Sequence, residues 1–519
     1  MTLARDFYAQ TQTEQSALAA RENARYERFT YVRLLFFFGW VAALIVAFGT
    51  DWRIGLGLLL LTLPLVAAGV RWHRGLKQRA NKAVIRAELA GTELRALNHD
   101  FSRFADGVEF LEPGHPYTLD LDIFGPHSLF QFLNRTVTAP GKERLAVALL
   151  APKTAEERAR TQVQGKALTQ DPSWSLEFRT IGYELGDKGE YFTRLQSWLR
   201  RPAVVITNRW ERLILHAAPL LTLAGLTFML VVGPWYVGAV AFVPALLLLR
   251  KYAEIIPREH AYVAAMGQLL RGYAELLAHV GTRPGGEEAK AAAPALRKLA
   301  YRVSQLDVRY NPFVFFLEVG GLWSLQWLRK LDQWRANHAA DLPRWLDLLA
   351  DTDELVSWAT LRHNQAEWTD PEFTDAPVVQ ATELGHPLLP PNGCVTNDVE
   401  MRTDGHLHLV TGSNMAGKST WLRTVGTNLV LAQAGAPVRS RHLRLRPLQV
   451  WTSMRTQDDL SESTSSFYAE LKRLKAIIAA VADPDQQVFF LLDEILKGTN
   501  SRDRHTGSRA LIRQLQLAD

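Results

Sequence analysis

Cysteine is nearly absent: Cys394 stands alone in 519 residues. No internal disulfide framework and no cysteine-rich zinc site can be built, which fits reducing cytosol for the soluble part of the chain. An excess of one charge is also missing. Lys and Arg number 59 against 53 Asp and Glu, a net +6, too mild to single out nucleic acid or anionic lipid as a partner. There is no internal repeat and no extended low-complexity tract. The length alone is expected to support two to four domains.

Long apolar runs, by contrast, are present and unevenly placed. The first thirty residues are polar, so the run beginning at Leu34 starts too late for a cleavable signal peptide and is expected to be retained. Leu34–Thr50 and Ile54–Val70 hold 17 residues each around the turn Asp51-Trp52-Arg53, at the lower limit for a ~30 Å hydrocarbon core. A second pair, Leu213–Val232 and Trp235–Leu249, is interrupted at Gly233-Pro234, where a helix should stop. Arg21, Arg25, Arg28 and Arg33 precede the first pair, and Arg71, Arg74, Lys77 and Arg79 follow it. Arg200, Arg201, Arg209 and Arg212 precede the second, with Arg250 and Lys251 after it. The positive-inside bias then predicts four spans in the inner (cytoplasmic) membrane, with both chain ends and the long segments in the cytoplasm. The competing reading is a set of buried helices in a soluble core, and His216 and Pro219 inside the third run favour it. The lack of any polar stripe weighs against it.

Residues 75–200 read as mixed helix and loop without a catalytic constellation. Asn134-Arg135-Thr136 matches a glycosylation sequon, but the cytoplasmic placement makes it a chance match. From Tyr252 to Asp370 the pattern is helical and rich in Trp and Leu, read as packing groups rather than base-stacking platforms. Composition shifts again near "TDPEFTDAP", a domain boundary.

The chemistry concentrates beyond that boundary. "GSNMAGKS" fits G-x-x-x-x-G-K-[ST] at Gly412, Gly417, Lys418 and Ser419, after the strand candidate "LHLV" and before a helical pattern ending at Gly435. Glycines let backbone N–H groups close on phosphate oxygens at a helix N-terminus, Lys418 spans the β- and γ-phosphates, and the Ser419 hydroxyl is a Mg²⁺ ligand. "VFFLLDE" reads as a strand buried on both faces that delivers Asp493 toward Mg²⁺ and Glu494 toward the attacking water. The hydroxyl cluster Ser463 to Ser466 has two readings from chemistry alone: a γ-phosphate contact, or a capping segment with Glu470 in the first turns.

Together, "TGSNMAGKSTWLRTVGTNLVLAQAGAPV", "DDLSESTSSFYAEL" and "FFLLDEILKGTNSRD" resemble the ATPase domain of the MutS family of DNA mismatch-repair proteins. "GHPLL" (Gly385–Leu389) and "VTND" (Val395–Asp398) are similar to the entry to that domain, and "SLFQFLNRTVTAPGKERL" (Ser128–Leu145) to the start of the family's helical core. The resemblance implies phosphate contacts from Gly412, Ser413, Asn414, Met415, Ala416, Gly417, Lys418, Ser419 and Thr420, and metal contacts from Ser419 and Asp493. Glu494 and Lys418 become the catalytic candidates, with ATP and Mg²⁺ as cofactors. It also implies a head-to-tail homodimer related to the ABC class, in which Ser465 reaches the partner's γ-phosphate, and DNA as a partner.

The chain also departs from that family. The aromatic that stacks on adenine falls at Cys394. Residues 1–75 replace the mismatch-reading domain, so Phe110-Leu111-Glu112 and Phe316-Leu317-Glu318 match its Phe-x-Glu triplet only by accident. The segment before the ATPase domain is short for the DNA clamp. Asp519 precedes the strand that would bring the family's histidine to the γ-phosphate, so the ATPase domain is expected to be C-terminally incomplete.

The expected fold is thus multidomain: membrane hairpins and a helical core or lever joined to an α/β P-loop, ABC-like ATPase domain. The division runs 1–80 (first hairpin), 81–200 (core segment), 201–254 (second hairpin), 255–375 (core and lever) and 376–519 (ATPase). The expected function is that of a membrane-anchored ATPase with a DNA partner and a role in repair. The alternatives are a transport-related ABC ATPase, against which the absence of Leu-Ser-Gly-Gly-Gln counts, and a noncatalytic scaffold. Arg439, Arg441, Arg444 and Arg446 read as a solvated strand face before a DNA patch.

Overall fold

The computed structural model describes residues 2–187, 189–201, 208–231, 233–264, 266–308, 315–413, 416–455 and 466–517. In chain order the helices are α1 (Thr2–Thr50), α2 (Trp52–Leu97), α3 (Leu129–Leu133), α4 (Ala139–Leu150), α5 (Ala155–Thr169), α6 (Pro172–Leu185), α7 (Glu190–Leu199), α8 (Arg209–Val231), α9 (Trp235–Ala239), α10 (Val243–Lys251), α11 (Ile255–Ala264), α12 (Met266–Val280), α13 (Glu287–Asp307), α14 (Phe315–Gly321), α15 (Trp323–His338), α16 (Leu342–Asn364), α17 (Lys418–Gln433), α18 (Ser466–Val481) and α19 (Ser501–Leu517). The strands are β1 (Glu372–Phe373), β2 (Val378–Leu384), β3 (Asn397–Arg402), β4 (His442–Leu445), β5 (Gln449–Ser453) and β6 (Val488–Leu492). The chain is mostly helical, with little sheet. It divides into two compact units: residues 1–135, 145–180 and 355–519, and residues 136–144 and 181–354.

In the first unit, α1 and α2 form an antiparallel hairpin around Asp51, whose side chain accepts the Arg53 N–H at 2.7 Å. Both helices run well beyond the apolar segments that predicted them. The flanking charged sequence is helical too, because its two halves bury each other through small groups: Ala4 and Ala19 on α1, and Ala80, Ala83, Ala87 and Ala90 on α2. Arg5 donates to Asn98 at 2.6 Å where the two outer ends meet. The apolar halves stay exposed, Leu35 by 75% and Leu61 by 73%. Trp40 Nε1 donates to Thr62 Oγ1 at 2.7 Å, a polar bond between the apolar halves. At the neck of the hairpin, Tyr26 stacks on His73 at 4.2 Å and Phe29 meets Trp72 edge-on at 4.5 Å.

Among the described residues, three helices, α1, α2 and α8, are long and apolar enough to cross a membrane. The fourth expected span is not one helix: residues 235–251 form α9, a 3₁₀ turn at Val240–Phe242, and α10. Pro244, in the first turn of α10, explains the break, since its ring and missing N–H suit a helix start and not a helix interior.

The second unit is held by α12 against α13. Leu269, Leu270, Tyr273, Leu276 and Leu277 recur at helical spacing, as do Ala292, Leu296, Leu299 and Val303, and all are buried. Here too the buried Asp353 carboxylate accepts the N–H groups of Val137 and Thr138 at 3.0 and 2.8 Å and the Thr138 hydroxyl at 2.7 Å.

The first unit's sheet is mixed, in the order β1-β4-β2-β3, and a separate parallel pair joins β5 to β6. One core runs through both the early helical segments and the sheets, taking Leu121, Ile123, Phe130, Leu133, Leu145 and Leu149 together with Val425, Leu429, Leu431, Leu443, Leu445 and Leu491. Phe110 packs on Phe124 and Phe130 at its edge. The sequon is sealed, because the Asn134 side chain is buried and donates to Ala105 O at 3.2 Å.

Beside this core lies a fully buried charge. Glu93 of α2 accepts from Arg135 Nε at 2.6 Å, Arg179 Nη1 at 2.7 Å and Asn364 Nδ2 at 2.8 Å. Burial alone would raise its pKa, but the two guanidinium groups outweigh that and hold it at about 2. Arg135 also stacks 3.6 Å over the Phe104 ring. Removing one member of such a set strands the opposite charge away from water, which costs about 3–5 kcal/mol. Glu93→Ala is therefore expected to destabilise the first unit by about that amount, read as a lowered midpoint in denaturation of the detergent-solubilised chain. A change under about 1 kcal/mol would mean that water already reaches the cluster.

Candidate functional site

The candidate loop lies in the first unit, ahead of α17. The strand expected just before it does not form: residues 406–413 have no regular structure, and Leu407, Leu409 and Val410 are exposed. A strand needs a paired edge. Among the described residues, β6 pairs only with β5. For the same reason β6 is not buried on both faces; Leu491 is buried and its neighbours are only half-buried.

Gly417 is the residue before α17 and sits at φ 88°, a left-handed conformation that a side chain would resist. Lys418 Nζ folds back and donates to Gly412 O at 2.9 Å and Ser413 O at 2.8 Å. The ammonium thus closes the loop on itself. Gly412, Ser413, Ala416, Ser419 and Thr420 line this turn and are all exposed, whereas Lys418 is half-buried. Asn414, Met415 and Ser465 lie outside the described residues, as do Ser463 and Thr464.

Parallel pairing of β5 with β6 matches Ser453 with Leu492, and Asp493 N donates to Ser453 O at 3.0 Å. That register delivers Asp493 to the start of α17, where Ser419 Oγ donates to its carboxylate. Hydroxyl and carboxylate oxygens are the hard donors that Mg²⁺ takes, usually with water and phosphate completing the shell. No cluster of three or more His, Cys, Asp or Glu side chains suited to a metal occurs among the described residues, so any ion at this point would rest on those two side chains and its own ligands.

Glu494 follows at φ 45°, exposed, with its carboxylate paired to Lys497. Lys497, and after it Lys418 and Arg504, hold its pKa below the usual carboxylate value. The turn beyond is clamped from two sides. Leu496, at φ 58°, donates its N–H to Glu470 of α18, so Glu470 braces this turn. Arg504 of α19 donates to Leu496 O and Lys497 O, both at 3.2 Å. Gly498 has to be small, since a Cβ there would come within 2.9 Å of Phe467.

Several supporting residues carry no motif signal. Asp120 accepts the Thr452 hydroxyl at 2.7 Å and the backbone N–H of Met454 and Arg455. Asp122 binds Arg455 at 2.7 Å and Arg423 of α17 at 3.3 Å, bracing both the end of β5 and the helix behind the loop. Their partners lie more than 300 positions away, so spacing could not reveal them.

Cys394 is half-buried and lines a cavity of about 490 Å³ with His99, Phe132, Trp368 and Arg439. Arg439 is taken up inside, donating to His386 O at 2.8 Å and Leu389 O at 2.5 Å. Arg441 pairs with Glu383 at 2.8 Å and Arg444 with Glu372 at 3.8 Å, which suits a solvated strand face.

A lysine-closed glycine loop before a helix, facing an Asp-Glu pair at a strand end, defines the class of site. Residues 408–518 match the family model described as MutS domain V. The DNA mismatch repair protein MutS of Methanococcoides burtonii is 35% identical over 182 residues, covering 34% of this chain and 20% of that protein. The DNA mismatch repair protein MSH3 of Candida glabrata is 32% identical over 184 residues, covering 34% of this chain and 18% of that protein. This C-terminal region is thus similar to the MutS family, and the chain spans about a fifth of the length of these relatives.

His386, from the motif that opens this region, is held at about 4 against an ordinary 6.5, by burial first and then by Arg423. Its neutral Nδ1 accepts the Leu388 N–H at 3.2 Å. The unfolded chain takes up a proton below about pH 6.5 that the folded imidazole refuses, so stability that is complete above that pH falls away toward pH 4. About 2 kcal/mol should be lost between neutral pH and about pH 5. Melts of wild type and His386→Asn at the two pH values test this, because the variant keeps an acceptor without the titration and should lose less.

Proposed function

We propose that this protein is a membrane-anchored MutS-family ATPase that binds Mg²⁺-ATP at the 412–420 loop, works as a dimer and engages DNA from the membrane surface. One observation carries the reading: Ser419 and Asp493, 74 positions apart, are in hydrogen-bond contact beside a lysine-closed glycine loop. The match to MutS domain V over the same residues supports it.

The N-terminus of α17 presents free N–H groups and the positive end of the helix dipole to an anion. Lys418 exchanges its two loop carbonyls for phosphate oxygens, so nucleotide binding opens a contact that otherwise closes the loop. Ser419 and Asp493 hold Mg²⁺, which supplies charge neutralisation on the phosphates when bound. Glu494, an exposed carboxylate and so ionised at neutral pH, accepts a hydrogen bond from the attacking water once its Lys497 pair loosens. By family resemblance, Ser465 completes the partner subunit's site.

The apolar hairpin of α1 and α2, with α8, supports insertion in the inner membrane, the cytoplasmic segments being those flanked by Arg and Lys. An ABC transporter reading has less support, since Leu-Ser-Gly-Gly-Gln is absent from the chain. A noncatalytic scaffold predicts that Asp493 and Glu494 are dispensable.

Lys418→Ala should abolish measurable ATP binding, while Glu494→Gln should bind ATP normally and hydrolyse it at least about a hundredfold more slowly. Equilibrium nucleotide binding and phosphate release by the reconstituted chain test both. Wild-type binding by Lys418→Ala would remove the loop assignment.

DNA affinity of this chain should come mainly from phosphate contacts and fall steeply with salt. Titrations of paired, mismatched and branched duplexes should show less than about a tenfold preference for a mismatch. A hundredfold preference would reveal a recognition element elsewhere in the chain.

A further inference from the structure

Two side-chain contacts on α8 set a depth scale in the second unit. At its start, Glu211 pairs with Lys251 and accepts the Tyr252 hydroxyl at 2.8 Å, so both ends of the second hairpin meet at one level. Further along α8, the buried Thr222 donates its hydroxyl to Gly320 O at 2.6 Å. At about 1.5 Å per residue, Thr222 lies roughly 16 Å beyond Glu211, near the middle of a ~30 Å hydrocarbon core. Between them, Arg329 Nη1 donates to His216 Nε2 at 2.5 Å. Going from Thr222 back to His216, the partner advances from Gly320 to Arg329. The segment 320–329 therefore runs antiparallel to α8, from mid-depth toward its basic end.

The chemistry of the segment suits that position. In α14 the one charged residue is Glu318, whose carboxylate accepts the Ser324 N–H at 3.0 Å and the Ser324 hydroxyl at 2.8 Å, satisfying the N-terminus of α15. The chain breaks between the two helices at Leu322, φ 51°, and the freed polar groups there have partners in Glu318 and Thr222, as backbone at membrane depth requires. Leu317 is exposed by 48%. Nearer the basic end, Trp323, Trp327 and Tyr301 cluster edge to face at 5.6 and 5.7 Å, and Lys330 lies 3.8 Å over Trp327. Trp323 Nε1 donates to Gln305 O at 2.8 Å. Amphipathic rings followed by cations are what a membrane–water interface selects.

We infer that α14 and the first turns of α15 form a further membrane element, seated at the centre of the bilayer against α8 and facing lipid through Leu317, with Trp323, Trp327 and Tyr301 along the path from there toward the cytoplasmic interface. This rests on the membrane reading above. Leu317 and Glu318 thereby acquire roles: an apolar contact with lipid, and the acid that caps the helix leading out.

Nitroxide labels placed singly in a Cys394→Ser background, at Leu317→Cys, Val319→Cys, Leu223→Cys and Ala340→Cys, test it in full-length protein reconstituted into phosphatidylcholine–phosphatidylglycerol vesicles. Collisions with lipid-soluble oxygen should exceed those with a water-soluble nickel chelate at Leu317 and Leu223, and the order should reverse at Ala340. Val319 should follow Leu317, which guards against a local perturbation at one site. If Leu317 and Val319 behave like Ala340 while Leu223 stays lipid-like, the inserted element is refuted and the α8 span stands. If Leu223 also behaves like Ala340, the membrane reading itself fails and this inference with it.

Discussion

A carboxylate without access to water has to be matched where it stands, and Glu93 is such a group. The cluster draws on four separate stretches: α2, the turn before α4, α6 and the end of α16. None of these can shift without uncovering a charge. Tyr8 of α1 lies close enough that Glu93 adds to the burial that raises its hydroxyl pKa, so the N-terminal helix is drawn into the same constraint. The arrangement fastens the hairpin stalk to the helical layer that shares its hydrophobic core with the sheets of the candidate site. Packing alone would tolerate sliding of α2 along its neighbours; a bidentate Arg135 contact does not.

The candidate site depends on a second, local register. Pairing β5 with β6 one residue out of step would turn Asp493 away from Ser419, because side chains alternate along a strand. Asp120 guards that register from outside the sheet by holding the Thr452 hydroxyl and two N–H groups beyond it. The turn carrying Glu494 contains two residues in left-handed backbone conformations and is fixed by Glu470 and Arg504. Left-handed backbone at Glu494 and Leu496 thus falls next to the candidate site, a placement common at functional sites.

What can be read from the sequence follows from how local its causes are. The glycine loop, its lysine and the helix after it are set by neighbouring residues, and the apolar hairpins by their own composition. The strand expected at 407–410 fails because an apolar tetrapeptide says nothing about whether an edge is free to pair with it. The fourth span fails as a single helix because Pro244 outweighs overall hydrophobicity. Asp120, Asp122 and Arg455 give no signal because their meeting is a product of the whole fold. Glu470 reads as a local cap, since helix N-termini attract acids, whereas its carboxylate serves a turn 26 positions away.

The stalk has a consequence for symmetry. From the end of the apolar run at Val70 to Glu93, α2 extends about 34 Å at about 1.5 Å per residue, as one unbroken helix paired with α1. On the proposed membrane-anchored reading, two copies in the same bilayer insert with the same polarity. Any closed pair they form must then have its twofold axis along the bilayer normal, since every other orientation would send one stalk away from the membrane. Association is thereby reduced from a search over all rotations to a search in a plane, about a single angle.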